Sequence, residues 1–292
     1  MTVKLETAHK NFIKHLEEKG KSSSTLTAYG KDLEQLIDFL LKKGVNVAQE
    51  IELTHLEEYM KKLATADYTP KSISRKTNST KTFFRFLKEK GHIEENVADL
   101  LKHPKVDIKA PRILSKLEYR ALRDASKGDI RSYAIIEVLL QTGLMISELA
   151  DIRIEHVEIS EEIGQLTVPA KPNKTSRAVP LNKAVVEAIK NYLNDERPGH
   201  KDAKHLFITK TGKPLLVRNI RSTIERYYKL AGVENAKVND LRHTFVAHHL
   251  SQGTSLTQVS RIAGHKRLST TERYLQYIER NVKEEKTELG IL

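Results

Sequence analysis

The 292-residue chain contains neither cysteine nor tryptophan. Without cysteine, disulfides, thiolate zinc sites, iron–sulfur clusters and cysteine nucleophiles are all excluded. The first residues, MTVKLETAHKNF, are polar and do not suggest a secretory signal peptide. No uninterrupted apolar stretch approaches the roughly 20 residues that a membrane helix needs. We therefore expect a cytoplasmic protein that has no membrane partner.

Positive charge is in excess along the whole chain. Lys and Arg number 50 against 38 Asp and Glu, which gives a net charge of +12 and a pI near 9.5. Residues 1–110 hold 20 basic and 16 acidic residues, and the remainder holds 30 and 22. Double-stranded DNA that contacts both parts would suit this distribution. A lysine-rich surface that is simply well solvated is the alternative.

Apolar spacing predicts helices over most of the first hundred residues. Phe12 and Leu16 lie four positions apart, and Ser24 or Thr25 is expected to cap a second helix. Thr69-Pro70 is expected to start a fourth helix. The segment HPKVDIKAPR contains two prolines and no periodicity, which is typical of a linker. We predict a helical DNA-binding domain over 1–102, a linker over 103–112 and a second domain over 113–292.

The second domain is predicted to be mainly helical with a small β-hairpin. Ser115 is expected to cap a helix, and an apolar helix is expected to end at Thr142-Gly143. Short β-branched runs at 165–168 and 178–181 flank the turn KPNKTS and predict the hairpin. The short run LFIT, which begins at Leu206, suggests another strand. The fold class is therefore mainly α, with a small sheet or hairpin in the carboxy-terminal domain.

One segment of the first domain places cations, amides and hydroxyls on a single predicted helix face. The segment is TPKSISRKTNSTKTFFR, at 69–85, and it contains no acidic residue. These side chains suit contacts with phosphates and grooves better than a generic solvated face does, although such a face is the alternative. The predicted DNA-contacting residues of this segment are Lys71, Ser74, Arg75, Asn78, Lys81 and Arg85.

Familiar phosphate and metal motifs are absent from the sequence. It has no Walker A loop, no G-x-G-x-x-G and no H-E-x-x-H. His243, His248 and His249 lie on one predicted helix, but their spacing does not favour a metal site. We interpret them as solvated or packed histidines.

Four stretches, taken in their order and spacing, resemble the tyrosine recombinases. They are TGLMISEL at 142–149, the turn around Lys171, NDLRHTF at 239–245 and AGHKRLSTTERY at 263–274. The resemblance is strongest to the short two-domain Xer-like members and covers nearly the whole chain. It implies a helical core-binding domain followed by a catalytic domain.

The chemistry that the resemblance implies is site-specific recombination of DNA. A tyrosine oxygen attacks a phosphodiester, which leaves a 3′-phosphotyrosine and a free 5′-hydroxyl, and a second strand's hydroxyl reverses the step. Cationic side chains neutralise the transition state, so no metal and no cofactor are expected.

The resemblance also implies roles for individual residues. Tyr274 matches the nucleophile, and Arg242 matches the second family arginine, which binds the non-bridging oxygens. Lys171 matches the lysine that protonates the leaving 5′-oxygen. His265 matches the histidine that donates a hydrogen bond to the phosphate. Lys174 is a DNA-contacting neighbour that could be confused with Lys171.

Two acidic residues match family positions with supporting roles. Glu148 and Asp240 are expected to orient their cationic neighbours. Structural capping or ion pairing would explain both residues equally well.

At two positions the sequence departs from the family pattern. Met145 stands where the family has its first catalytic arginine, and losing one such preorganised donor costs about 10²–10³ in rate. Asn239 stands where a histidine is usual, and its amide can donate to a phosphate oxygen but cannot exchange a proton with the tyrosine. Cations that could replace the missing arginine are Arg153, Arg177, Arg261 and Lys266.

The implied assembly is a homotetramer on two synapsed DNA duplexes, with or without an accessory factor or a partner recombinase. The tail at 278–292 ends in Leu289, Ile291 and Leu292, and it is expected to dock into a neighbouring subunit unless it is a frayed terminus. Two other functions stay open. One is a DNA-binding or synapsis protein that has lost catalysis through Met145, and the other is a type IB topoisomerase.

Overall fold

The computed structural model describes residues 2–107, 109–161, 163–172, 174–200 and 202–278. The chain divides between Lys109 and Ala110 into two compact units, and this division lies inside the segment 103–112. None of the described helices is long and apolar enough to cross a bilayer. Most of the predicted docking tail, including Leu289, lies outside the described residues.

The first unit is helical, and its helices bury apolar residues spaced three or four positions apart. On the first helix Leu5, Ala8, Phe12 and Leu16 are all buried, as the 3.6-residue period requires. The ring of Phe12 meets that of Phe83 edge to face, with centroids 5.3 Å apart. The α-helices of this unit are α1 (Leu5–Glu18), α2 (Ser23–Lys42), α3 (Leu53–Thr65) and α4 (Pro70–Glu89).

Capping residues set where these helices begin. Thr69 caps α4 by accepting a hydrogen bond from the Ser72 N–H, and Pro70 is the first helical residue, as the sequence predicts. The predicted cap of α2 was wrong, because Ser22 accepts from the Thr25 N–H at 3.2 Å. Ser22, Ser23 and Ser24 offer the same hydroxyl chemistry, so the sequence alone does not choose among them.

The second unit is built around an almost entirely buried helix, Ile130–Thr142. Five of its residues from Ala134 to Leu139 are buried hydrophobic residues, and neighbouring helices of the unit pack against this core. Ser115 caps the helix Lys116–Ser126 as predicted. The α-helices are α5 (Lys116–Ser126), α6 (Ile130–Thr142), α7 (Ile146–Asp151), α8 (Lys183–Asn191), α9 (Val217–Leu230), α10 (Val238–Ser251), α11 (Leu256–Ala263) and α12 (Leu268–Glu272).

The second unit also contains a three-stranded antiparallel sheet. The strands are β1 (Val157–Ile159), β2 (Gly164–Val168) and β3 (Arg177–Leu181), in the order β1-β2-β3. The β2–β3 hairpin is the predicted one, with Val168 opposite Arg177 beside the turn. The predicted mainly helical fold class with a small sheet is confirmed.

The strand predicted near Leu206 is wrong. His205 and Ile208 make only isolated bridges, with Arg153 and Pro214 respectively. The Gly212 N–H donates to the Thr209 carbonyl at 3.0 Å, so a tight turn follows Ile208 directly and the pairing stays short. The apolar residues of the run LFIT, which are Leu206, Phe207 and Ile208, are instead buried in the core without forming a strand.

Gly143 ends α6 and positions the loop that follows. Its φ of +64° lies in the left-handed region, and a Cβ there would come within 2.9 Å of the Phe245 ring. Both the conformation and the space therefore require glycine.

We predict that Gly143→Ala lowers the free energy of unfolding by about 2–4 kcal/mol. The left-handed conformation contributes about 1–2 kcal/mol, and overpacking against Phe245 contributes the rest. Gly232→Ala is the matched control, since its φ is +67° and no atom lies within 4 Å of the added Cβ. Urea unfolding should show a smaller loss for Gly232→Ala, and equal losses would contradict the packing argument.

Candidate active site

Several elements of the second unit bring the predicted site residues together. The α6–α7 turn contributes Met145 and α7 contributes Glu148, while α10 contributes Arg242. His265 follows α11, and Tyr274 lies in the 3₁₀ turn Arg273–Gln276 after α12.

Tyr274 lies at the centre of this arrangement, and only 6% of its surface is exposed. Its hydroxyl is 2.6 Å from Nδ1 of His243. Its ring lies nearly parallel to that of His265, at 13° and with centroids 6.3 Å apart. Burial raises the pKa of Tyr274 above its usual value, and the charge of Arg242 acts in the opposite direction. The resting side chain is therefore a protonated phenol.

His243 is a site residue that the sequence analysis did not identify. Its Nε2 lies 2.8 Å from Nδ2 of Asn239, so Asn239, His243 and Tyr274 form a hydrogen-bonded series. Burial lowers the pKa of His243, which keeps the imidazole neutral. The spacing of four residues between Asn239 and His243 on one helix is a signal that could have revealed the pair.

His265 is held on the other side of Tyr274. Its Nδ1 is 2.7 Å from the hydroxyl of the buried Thr271. Burial, followed by the charge of Arg242, lowers the pKa of His265 to about 4. The preceding Gly264 ends α11 with φ +70°. A Cβ at Gly264 would lie 2.7 Å from Cζ of Arg177, so this position requires glycine.

Arg242 is a buried cation with an unused donor. One guanidinium nitrogen, Nη1, donates to the carbonyl oxygen of Gly143 at 2.6 Å. The other, Nη2, is buried and has no hydrogen-bond partner among the residues that the structure describes. Burial lowers the pKa of Arg242, which the carboxylate of Glu148 partly offsets. Such a donor is suited to a phosphate oxygen.

Glu148 is buried and ionised. It accepts hydrogen bonds from Nη1 and Nη2 of Arg177, at 3.0 and 2.8 Å, and from the Met145 N–H at 3.0 Å. Burial acts to raise the pKa of Glu148, but the hydrogen bonds from Arg177 and Met145 outweigh it and lower the pKa to about 2. Asp240 instead accepts from the Lys237 N–H at 2.7 Å, at the start of α10.

The two hairpin lysines have different partners. Lys171 pairs with the carboxylate of Asp151, which is on α7. Lys174 places Nζ 3.2 Å from Oε1 of Glu148 and 3.5 Å from Sδ of Met145. Both lysines line a cavity of about 1320 Å³ that His265 also lines.

The four cations considered as replacements for the missing arginine are placed differently. Arg177 binds Glu148, while Arg153 pairs with Glu155 at 3.2 Å. Arg261 and Lys266 line the same cavity as His265.

The predicted DNA-contacting residues of the first unit all lie on α4. Arg75 pairs with the buried Asp32, and Lys81 donates to the Asp99 carbonyl at 3.2 Å. Ser74 and Lys81 are half-buried, and the others, Lys71, Arg75, Asn78 and Arg85, are exposed.

Comparison with known proteins shows which family the chain belongs to. Residues 110–280 match the phage integrase family, and residues 10–91 match the phage integrase N-terminal SAM-like domain. The first match covers more than half of the chain.

Individual relatives match over nearly their full length. Tyrosine recombinase XerC of Chlorobaculum parvum is 32% identical, over 94% of this chain and 91% of its own. Tyrosine recombinase XerD of Brucella melitensis is 30% identical, over 96% and 95%.

Solved structures agree in fold. The XerA recombinase is 27% identical with a TM-score of 0.53, and the match covers 92% of this chain and 93% of XerA. XerH bound to a palindromic difH substrate is 18% identical with a TM-score of 0.74, covering 89% and 78%. With the family matches over both units, these findings show that the chain is an Xer-like member of the phage integrase family, the tyrosine site-specific recombinases.

Proposed function

We propose that this recombinase cleaves and rejoins double-stranded DNA through a 3′-phosphotyrosine on Tyr274. One observation carries the proposal: the Tyr274 hydroxyl is hydrogen-bonded to the neutral His243, in a site where Arg242 has an unused donor. A nucleophile, a proton acceptor and a phosphate-binding cation are the groups that phosphoryl transfer to a tyrosine needs.

The proposed forward step moves one proton at each end of the reaction. As the Tyr274 oxygen forms its bond to phosphorus, its proton passes to Nδ1 of His243. The bond from phosphorus to the 5′-oxygen breaks, and the leaving oxygen takes a proton from Lys171. Arg242 neutralises charge on the non-bridging oxygens. Rejoining runs the same transfers in reverse.

In this scheme Asn239 determines which ring nitrogen of His243 carries the proton. In the described arrangement Nδ2 of Asn239 faces Nε2 of His243, which places the proton of the neutral imidazole on Nδ1. Rotation of the Asn239 amide by half a turn presents Oδ1 to Nε2–H instead, and Nδ1 is then unprotonated and can accept the tyrosine proton. Asn239 then acts through His243 and needs no proton exchange of its own.

The described arrangement precedes the attack. Tyr274 is buried, and Lys171 is paired with Asp151 on α7. DNA must therefore uncover the hydroxyl and draw Lys171 away from Asp151 before the chemistry begins.

The proposed assembly is a tetramer across two synapsed duplexes. Solved structures of similar fold include a lambda integrase dimer bound to a core site and a lambda integrase tetramer bound to a Holliday junction. The exposed cations of α4 and the half-buried lysines of the β2–β3 turn would contact phosphates in such a complex.

A second candidate function is DNA binding and synapsis without cleavage, and Met145 favours it. Its thioether donates no hydrogen bond to phosphate, and one missing donor costs about 10²–10³ in rate.

We predict that the protein forms a covalent adduct with a nicked suicide substrate, built on a binding site selected from random duplexes. Tyr274→Phe should abolish the adduct on a denaturing gel, because it removes the nucleophilic oxygen. Tyr277→Phe, an exposed tyrosine three residues away, should retain it. Tight binding without adduct from the unaltered protein would favour the second function.

We predict that His243→Gln slows adduct formation by about 10²–10⁴, the range typical of general base catalysis, while DNA affinity changes little. The pKa of His243 lies below its ordinary 6.5, so the neutral base persists on lowering the pH through that value. Cleavage by the unaltered protein should therefore stay constant from pH 8 to 6.5. The variant should instead gain rate as the pH rises, and matching pH profiles would contradict the role.

We predict that Arg85→Ala weakens DNA binding and lowers the salt slope of log affinity by about one, as for one lost phosphate contact. Lys10→Ala, on α1, is the control and should leave the slope unchanged. Fluorescence anisotropy across a salt series measures both, and an unchanged slope for Arg85→Ala would remove it from the interface.

A further inference from the structure

The proposed function leaves one electrostatic requirement unmet. Charge develops on the non-bridging oxygens of the phosphate, and Arg242 is the one guanidinium that the sequence resemblance assigns to them. Met145 fills a second arginine's place without supplying charge. A group that lies beside Met145, carries a positive charge and lines the cavity that Lys171 and His265 also line would meet the requirement.

Lys174 satisfies these conditions. Its Nζ lies 3.5 Å from Sδ of Met145, so the ammonium is in contact with the end of the side chain that replaces the arginine. Its side chain is 30% exposed and lines the cavity shared with His265. The methionine fills the volume of an arginine stem, and the lysine adds the charged end.

Neighbouring charges leave Lys174 with a net positive surplus. Glu148 is already held by two nitrogens of Arg177. Lys174 adds a second cation to this single carboxylate, at 3.2 Å, so the three side chains together carry one positive charge. Lys171, in contrast, faces Asp151.

Arg177 is less able to serve as the mobile cation. Nη1 and Nη2 bind Glu148, Nε donates to the Ile262 carbonyl at 2.8 Å, and the side chain is 9% exposed. It holds Glu148 in place, whereas Lys174 has a flexible stem and a single ammonium that can turn towards a phosphate.

We infer that Lys174 supplies the phosphate-neutralising charge that Met145 lacks, which makes it a further catalytic residue that binds a non-bridging oxygen. The inference rests on the proposed function. Lys174 transfers no proton and forms no covalent bond in this role. Lys171 remains the acid for the leaving 5′-oxygen, so the two lysines have separable tasks.

The test compares adduct formation by the unaltered protein, Lys174→Met, Met145→Arg and the double variant, on the nicked substrate. Lys174→Met should lower the cleavage rate by about 10²–10³, with DNA affinity reduced less than tenfold. Adding Met145→Arg to Lys174→Met should restore the rate at least tenfold, because the guanidinium returns the charge to the same place. Lys229→Met, which removes an exposed lysine of α9, is the control for net charge and should cleave normally.

A second substrate separates charge neutralisation from proton donation. Replacing the leaving 5′-oxygen with sulfur removes the need for a proton donor, since a thiolate leaves readily. The sulfur substrate should rescue Lys171→Met and should not rescue Lys174→Met. Rescue of Lys174→Met would identify it as the acid and overturn the inference.

The remaining outcomes are also decisive. If the unaltered protein and Lys174→Met cleave equally fast, the inference fails while the proposed function stands. A lost rate that Met145→Arg does not restore would equally overturn it. If adduct forms only with Met145→Arg, Lys174 does not replace the arginine. If no variant forms adduct, the proposed function itself fails.

Discussion

The geometry of the site depends on the ion pair between Glu148 and Arg177. Arg177 begins β3, binds Glu148 of α7 through two nitrogens and reaches the Ile262 carbonyl of α11 through Nε. One guanidinium thus ties three elements together, and Gly264 gives it room. Removing one partner of such a buried pair leaves an uncompensated charge and is typically destabilising by about 3–5 kcal/mol. His265 lies three residues after Ile262 in the chain and Tyr274 follows after α12, so the placement of both residues relies on this link.

Around this pair, the positive charge comes from several neighbouring side chains and not from a single residue. Arg177 neutralises Glu148, and Lys174 joins them from the same hairpin. Electrostatic stabilisation depends on where a charge lies relative to the reacting oxygens and on how dry the surroundings are. It does not depend on which backbone position carries the side chain. Under the role inferred for Lys174, the family motif lacks its arginine at position 145 while a positive charge lies beside that position.

The sequence predicted those features that depend on local chemistry. The Thr69-Pro70 helix start, the Ser115 cap and the β2–β3 hairpin each follow from a few neighbouring residues. The predicted strand near Leu206 was wrong because apolar runs are also buried in irregular structure. The contact of His243 with Tyr274 joins residues 31 positions apart. The approach of Lys174 to Met145 spans 29. Neither contact is encoded by spacing, because both depend on how the elements pack.

The burial of Tyr274 separates DNA binding from DNA cleavage in the proposed mechanism. Tyr274 is buried against His243 and His265, and burial raises its pKa, so under the proposed mechanism DNA binding that leaves the phenol covered would not nick the DNA. Selectivity for the DNA sequence then depends on the step that exposes Tyr274 as well as on the binding step. A recombinase built this way tolerates weak, frequent encounters with wrong sequences, because an encounter that does not uncover the tyrosine leaves the backbone intact.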